Sequence, residues 1–235
     1  MSHRSPSLMS AMLAALCLTS AASAAIFDLK ADFSFTNNPN GPWSYNLGDS
    51  PLTTLVENWG GAPTLTAWTT TAAAIVPPAW GIASSDLIGA HDWVAGDVVG
   101  HSTNGVGSTP ATVAWTAAAD GFISISGRTW DAVFAAGRNA DWTLELNGVT
   151  LASRAGIAGL FRSDAAALFA NNIVTGQSLD NLQVNAGDVV RFRLHTTTAL
   201  GHLAGVDLTI THQVPAPATA LIACVQLLAA ARRRR

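Results

Sequence analysis

The sequence predicts an all-β sandwich set between two apolar end segments. Three observations predict it. Apolar and polar residues alternate with period two in many short runs. Glycine- and asparagine-bearing turns separate those runs, and helical periodicity is nearly absent between residues 25 and 213. The chain has 235 residues, 49 % hydrophobic and only 11 % charged. That is ample apolar surface for a core, and it excludes a disordered polyelectrolyte.

Taken in order, residues 26–35 alternate, with Phe27, Leu29, Ala31, Phe33 and Phe35 on one face of a first strand. Residues 37–50 and 100–110 are polar and glycine-bearing, so surface loops are expected there. Residues 112–116 and 122–126 read as strands, and Asp120-Gly121 between them is a hairpin signal. Trp142–Leu146 alternates, and Asn147-Gly148 turns it into Val149-Thr150-Leu151. Residues 182–184 meet the turn Asn185-Ala186-Gly187-Asp188 and continue as 189–195, and residues 206–211 close the domain. Roughly eight or more strands are expected at this spacing. A helix fits only residues 163–170, where Ser163 could cap and Asp164 favours the first turn.

The ends read as addresses. His3 and Arg4 precede the apolar residues 9–18, and Ala22-Ser23-Ala24 is a small-x-small site. A signal peptide over Met1–Ala24, cut after Ala24 by signal peptidase, is expected. Leu16 before Cys17 excludes a lipoprotein site, which wants a small residue there. At the other end Val214-Pro215-Ala216-Pro217 is stiff and extended. Residues 218–231 are apolar except for Thr219 and Gln226, and Arg232, Arg233, Arg234 and Arg235 close the chain. Fourteen helical residues rise about 21 Å, short of the roughly 30 Å hydrocarbon core, and the arginines stay cytoplasmic. Such a segment suits a recognition tail better than a permanent anchor, although a plain anchor is the alternative.

This Pro-x-Pro, apolar helix and arginine cluster resembles the PEP-CTERM sorting signal. The tail departs from the family at Ala216, where glutamate is usual, and is similar to its alanine- and leucine-bearing variants. The resemblance implies processing by an exosortase, a membrane protease or transpeptidase of Gram-negative bacteria. It also implies a membrane intermediate before release to the cell surface or outside.

The split redistributes the composition. Arg4 and the four terminal arginines hold five of the twelve basic residues, so residues 25–213 carry seven basic against fifteen acidic residues, a net −8. Nucleic acid and bare polyanions are therefore excluded as partners. Both cysteines, Cys17 and Cys224, and all three methionines lie in the ends. The domain between them has no thiol nucleophile and no disulfide.

Its sequence is also similar to a β-sandwich domain of many PEP-CTERM proteins. Asp32-Phe33-Ser34, residues 38–45, Val113-Ala114-Trp115 with Asp120-Gly121, residues 144–148, Ala186-Gly187-Asp188 and residues 205–211 carry that likeness, in order. The overall pattern resembles jelly-roll carbohydrate-binding modules, which implies a jelly-roll fold.

No Gly-x-Ser-x-Gly, His-Glu-x-x-His, Walker or Gly-x-Gly-x-x-Gly motif is present. A glycosidase would need two facing carboxylates, and no spacing singles out a pair among thirteen aspartates and two glutamates. All eight tryptophans lie in the domain. Trp115 and Trp142 alternate within strands and are expected in the core. Trp43, Trp59 and Trp80 sit beside glycine or proline, Trp93 stands three residues before Gly96, and either packing or sugar stacking suits all four. Trp43 with Tyr45 is the expected ligand-facing pair. Carbohydrate-binding sandwiches often hold a structural Ca²⁺ between first and last strands, which makes Asp32 and Asp207, joined by Asp28, its candidate ligands. The bland alternative is exposed or capping aspartates. His91, His101, His195, His202 and His212 form no metal-ligand spacing and read as ordinary surface or strand histidines. Arg191 and Arg193 alternate with Val190 and Phe192, so they share a polar face, where they pair with acids or bind an anionic sugar.

The expected protein is an exported, exosortase-sorted, non-enzymatic sandwich of the exopolysaccharide or biofilm layer, contacting polysaccharide or matrix proteins. A purely structural surface protein and a secreted hydrolase are the alternatives.

Overall fold

The computed structural model describes residues 23–60, 65–73, 76–86, 92–133 and 135–215. Ala22, His91, Ala216, Pro217 and the four terminal arginines lie outside the described residues. The chain divides into the unit Ala25–His212 and a second one, Met1–Ala24 with Gln213–Arg235. Little of the second is described. Among the described residues no helix is long and apolar enough to cross a membrane.

Two antiparallel sheets form a β-sandwich. One sheet contains β1 (Ser23–Asp28), β4 (Thr54–Trp59), β5 (Leu65–Thr69), β6 (Ala79–Ala83), β7 (Val98–His101), β9 (Gly121–Asp131), β12 (Leu182–Val184) and β14 (Leu203–Val214). Their order is β12-β9-β14-β7-β6-β5-β4, and β1 also pairs with β14. The other contains β2 (Trp43–Leu47), β3 (Ser50–Pro51), β8 (Ala111–Thr116), β10 (Ala140–Leu146), β11 (Val149–Arg154) and β13 (Val189–Thr196). Their order is β11-β10-β13-β8-β2-β3.

The inner faces follow from period-two alternation. On β13, Val190, Phe192 and Leu194 are buried, while Val189, Arg191, Arg193 and His195 lie on the outer face. The core joins Tyr45, Val113, Trp115, Trp142 and Leu144 of one sheet to Trp80, Val98, Ile123, Val206, Leu208 and Ile210 of the other. Phe192 meets Trp80 at 6.3 Å and stacks on Trp142 at 6.0 Å between ring centroids. Trp80 can cross the sheet interior because Gly100 presents no side chain; a Cβ there would meet the indole.

Several local expectations change. The first strand stops at Asp28, because its carboxylate accepts the Lys30 and Ala31 amides and turns the chain. Phe33 then packs on the core from a turn, and Phe35 is exposed. Residues 37–50 are not a loop throughout but contain β2. Asp120-Gly121 does not close a hairpin: β8 and β9 belong to different sheets. Its neighbourhood pairs instead with the second crossing, where the Asp120 carboxylate accepts the Ala186 amide and Ala117 bonds Asp188 and Gly187. Asn147-Gly148 does make the β10–β11 hairpin, with φ of 52° and 83°. Residues 163–170 form no α-helix. They hold two 3₁₀ turns, Ala165–Ala167 and Phe169–Asn171, split by an extended Leu168. The Asp164 carboxylate accepts the Phe161 amide instead of capping the first turn.

Candidate functional site

The two outer faces of the sandwich differ in chemistry. On the eight-stranded sheet, Leu65, Ala67, Ala79, Ala83 and Val99 turn outward and still lie buried. They form a second apolar layer with Trp59, Trp93 and Ala132. Trp130 covers Gly205, where a Cβ would fall inside the indole ring. The Arg162 guanidinium lies 4.2 Å from the Trp130 ring centroid and bonds both oxygens of buried Asp97. The Arg162 amide and side chain also bond Asp92. Burial works against this charge, yet Asp97 and Asp92 outweigh it and raise the guanidinium pKa. Chain 92–97 is thereby fastened over the sheet.

Beside this layer His202 Nε2 stands 2.9 Å from Asp131 Oδ1, both side chains buried. The contact is off the line of a straight hydrogen bond, and His202 Nδ1 has no partner. Asp131 also accepts the Val133 and Gly159 amides. Ser102 Oγ meets the His202 main chain rather than its ring, so no Ser-His-Asp relay forms. His101 packs on Trp59, and its Nδ1 lies 2.6 Å from the Ser102 carbonyl oxygen. Burial lowers its pKa to about 4.

The outer face of the six-stranded sheet is polar, and among the described residues it presents no Phe, Tyr or Trp side chain. Register sets Asn46, Thr112, Arg193 and Thr143 in one row across β2, β8, β13 and β10, with Ser44, Ala114, Arg191 and Glu145 in the next. Arg193 Nε donates to Glu145 at 3.1 Å, and Arg191 and Arg193 both donate to Asp49 Oδ1. Thr143 donates to Glu145 and lies 3.3 Å from His195 Nε2. Desolvation opposes ionisation of Asp49, but the two arginines prevail and lower its pKa. His195 is also lowered, chiefly by burial, with Glu145 acting against the shift.

The expected site residues fall as follows. Trp43 and Tyr45 do not face a ligand; both are fully buried on the inner side of β2. The Pro42-to-Tyr45 stretch looks loop-like because glycine and proline flank it, but its alternation is that of a strand. All eight tryptophans are buried, Trp115 and Trp142 as expected. Asp32 accepts the Asp28 amide and the Trp43 indole N–H at 3.0 Å, and Asp28 also accepts from Thr209. Asp207 faces Arg128 at 3.8 Å, and burial raises its pKa. No three His, Cys, Asp or Glu side chains gather as a metal-ligand set among the described residues. Ala24 lies in β1, so the expected signal cleavage point falls inside that strand; Val214 ends β14 and Pro215 follows it. Arg191 and Arg193 share the polar face and pair with acids, as their alternation implies. The residues that sequence reasoning missed are Asn46, Asp49 and Thr112, which only the pairing of β2 with β8 brings to those arginines.

These features define a class, the two-sheet antiparallel β-sandwich with one sealed and one open outer face. No family model and no curated protein matches the chain. Among solved structures, it is similar to the K3 cleaved adhesin domain of Lys-gingipain from Porphyromonas gingivalis w83, with 14 % identity and a TM-score of 0.33 over 75 % of this chain and 95 % of that one. It is also similar to the catalytic domain of a GH87 alpha-1,3-glucanase in complex with nigerose, with 11 % identity and a TM-score of 0.31. That match covers 84 % of this chain and 30 % of the glucanase chain. Likenesses this distant carry no argument about function.

Proposed function

We propose that this is an exported, non-enzymatic envelope or extracellular protein whose jelly-roll-like sandwich contacts carbohydrate in the exopolysaccharide or biofilm matrix. The observation that carries the contact role is the open face of the six-stranded sheet. It presents rows of mostly polar side chains joined by ion pairs rather than a second apolar layer, chemistry that suits a hydroxyl-rich chain. Two of its carboxylates, Asp49 and Glu145, are engaged by arginines. That favours contact over hydrolysis, because a glycosidase acid must hold its proton near neutral pH and Asp49 is pushed the other way. Export rests on the Ala22-Ser23-Ala24 site, and sorting on the resemblance of the Val214-Pro215-Ala216-Pro217 tail to the PEP-CTERM signal. Signal peptidase and an exosortase are the processing partners in this reading, with the apolar helix holding the chain in the inner membrane until it is cut.

Two measurements test it. Mass spectrometry of the cell-derived protein is expected to find an N-terminus at Ala25 and a C-terminus upstream of the arginines. A chain still ending in Arg235 overturns sorting. Affinity electrophoresis on a panel of neutral and sparsely charged polysaccharides is expected to retard the protein. No retardation on any of them leaves a purely structural role and removes the carbohydrate reading.

A further inference from the structure

Asp49 sits in the β2–β3 turn, and one of its oxygens accepts Arg191 Nε at 2.8 Å and Arg193 Nη2 at 3.0 Å. Strand β8 lies between β13 and β2, so both arginine side chains cross β8 to reach that oxygen. Thr112 of β8 stands in register with Arg193 on one side and Asn46 on the other. Thr112 is fully buried and Asn46 is 3 % exposed. Thr112 Oγ1 and Asn46 Oδ1 nonetheless have no hydrogen-bond partner. Buried polar atoms are normally paired, and two unpaired ones side by side on a polar face call for a ligand.

The cover over them opens easily. The Asp49 side chain is 65 % exposed, and exposed ion pairs hold weakly. Arg191 and Arg193 balance Asp49 and Glu145, so lifting Asp49 leaves one positive charge and two vacated donors. A ligand carboxylate restores both at once, accepting one charge-assisted bond from each arginine. Hydroxyls beside that carboxylate would meet Thr112 Oγ1 and Asn46 Oδ1. A neutral sugar leaves the positive charge unmatched. A dense polyanion is repelled by the net −8 of residues 25–213.

We propose that Asp49 is a displaceable strap over a glycan subsite, and that the subsite takes a single uronate carried on an otherwise neutral polysaccharide. The ligand carboxylate replaces Asp49 at Arg191 and Arg193. This rests on the carbohydrate-contacting reading and names its site and ligand class.

The test is affinity electrophoresis of the full chain in glucuronoxylan, a neutral backbone with scattered uronates, beside the same polymer after carboxyl reduction. Asp49→Asn removes the competing carboxylate and is expected to strengthen retardation about fivefold on the native polymer, with no gain on the reduced one. Thr112→Val and Arg193→Gln are expected to weaken retardation. Thr112→Val carries the argument against a merely structural effect, since replacing an unpaired buried hydroxyl by a methyl leaves the melting temperature unchanged or raised. If Asp49→Asn is retarded no more than the wild type, the strap is overturned. Equal retardation by native and reduced polymers also overturns it, yet leaves the carbohydrate reading standing. No retardation on these or on the wider panel removes both.

Discussion

The two outer faces of this sandwich solve opposite problems. The eight-stranded sheet buries the outward residues of β5, β6 and β7 in a second apolar layer with Trp59 and Trp93, beside Trp130 and the chain that Arg162 fastens. The six-stranded sheet leaves its outward residues polar and joins them by ion pairs. The first face adds stability, because burial of apolar area acts there. The second adds little, because ion pairs at a surface are weak. A face that contributes little to folding is free to be shaped for contact.

The comparison can be broken most directly at Trp130. Trp130→Ala removes the ring that fills the space over Gly205 and carries the Arg162 contact, and a loss of about 3–5 kcal/mol is expected in urea unfolding. A loss under about 1 kcal/mol would mean the sealed face is dispensable.

A pH series sharpens it next. Burial holds His101, on the sealed face, near a pKa of about 4, whereas the unfolded residue titrates near 6.5. Between those values the unfolded chain binds the proton and the folded one does not, so stability is present above about 6.5 and falls as pH drops toward 4. The size is of the order of 3 kcal/mol. His195 and His212 are lowered too and act in the same direction. Melting curves from pH 7 to 4 are expected to show this slope, and His101→Gln to flatten it.

The smallest effect belongs to the open face. Arg191→Ala breaks one ion pair to Asp49, whose side chain is largely exposed, and is expected to cost less than about 1 kcal/mol by the same unfolding assay. A loss as large as that of Trp130→Ala would erase the distinction between the faces.

The same asymmetry explains what the sequence made legible. Strands β10 and β13, and β14 from Val206 on, are buried on one side only, so their alternation reads clearly. Strands β5, β6 and β7 are buried on both sides, as in Ala79-Trp80-Gly81-Ile82-Ala83, and double burial erases the alternation. They were invisible for that reason, although their residues fill both apolar layers. The polar face was half legible. Arg191 and Arg193 declare it by spacing, but Asp49, Thr112 and Asn46 reach it only through strand order. Strand order is set by pairing at sequence separations of about 70 and 80 residues, which no local pattern encodes.

The burial of every tryptophan also governs how this protein responds to light. Its emission originates entirely from interior indoles, with a single tyrosine, Tyr45, buried among them. Such a chain glows as a hydrocarbon-shielded fluorophore while native. Among the described residues the open polar face presents no indole, phenol or phenyl ring and is therefore optically silent. A glycan settling on it would leave the emission unchanged, so the spectrum reports on the core alone.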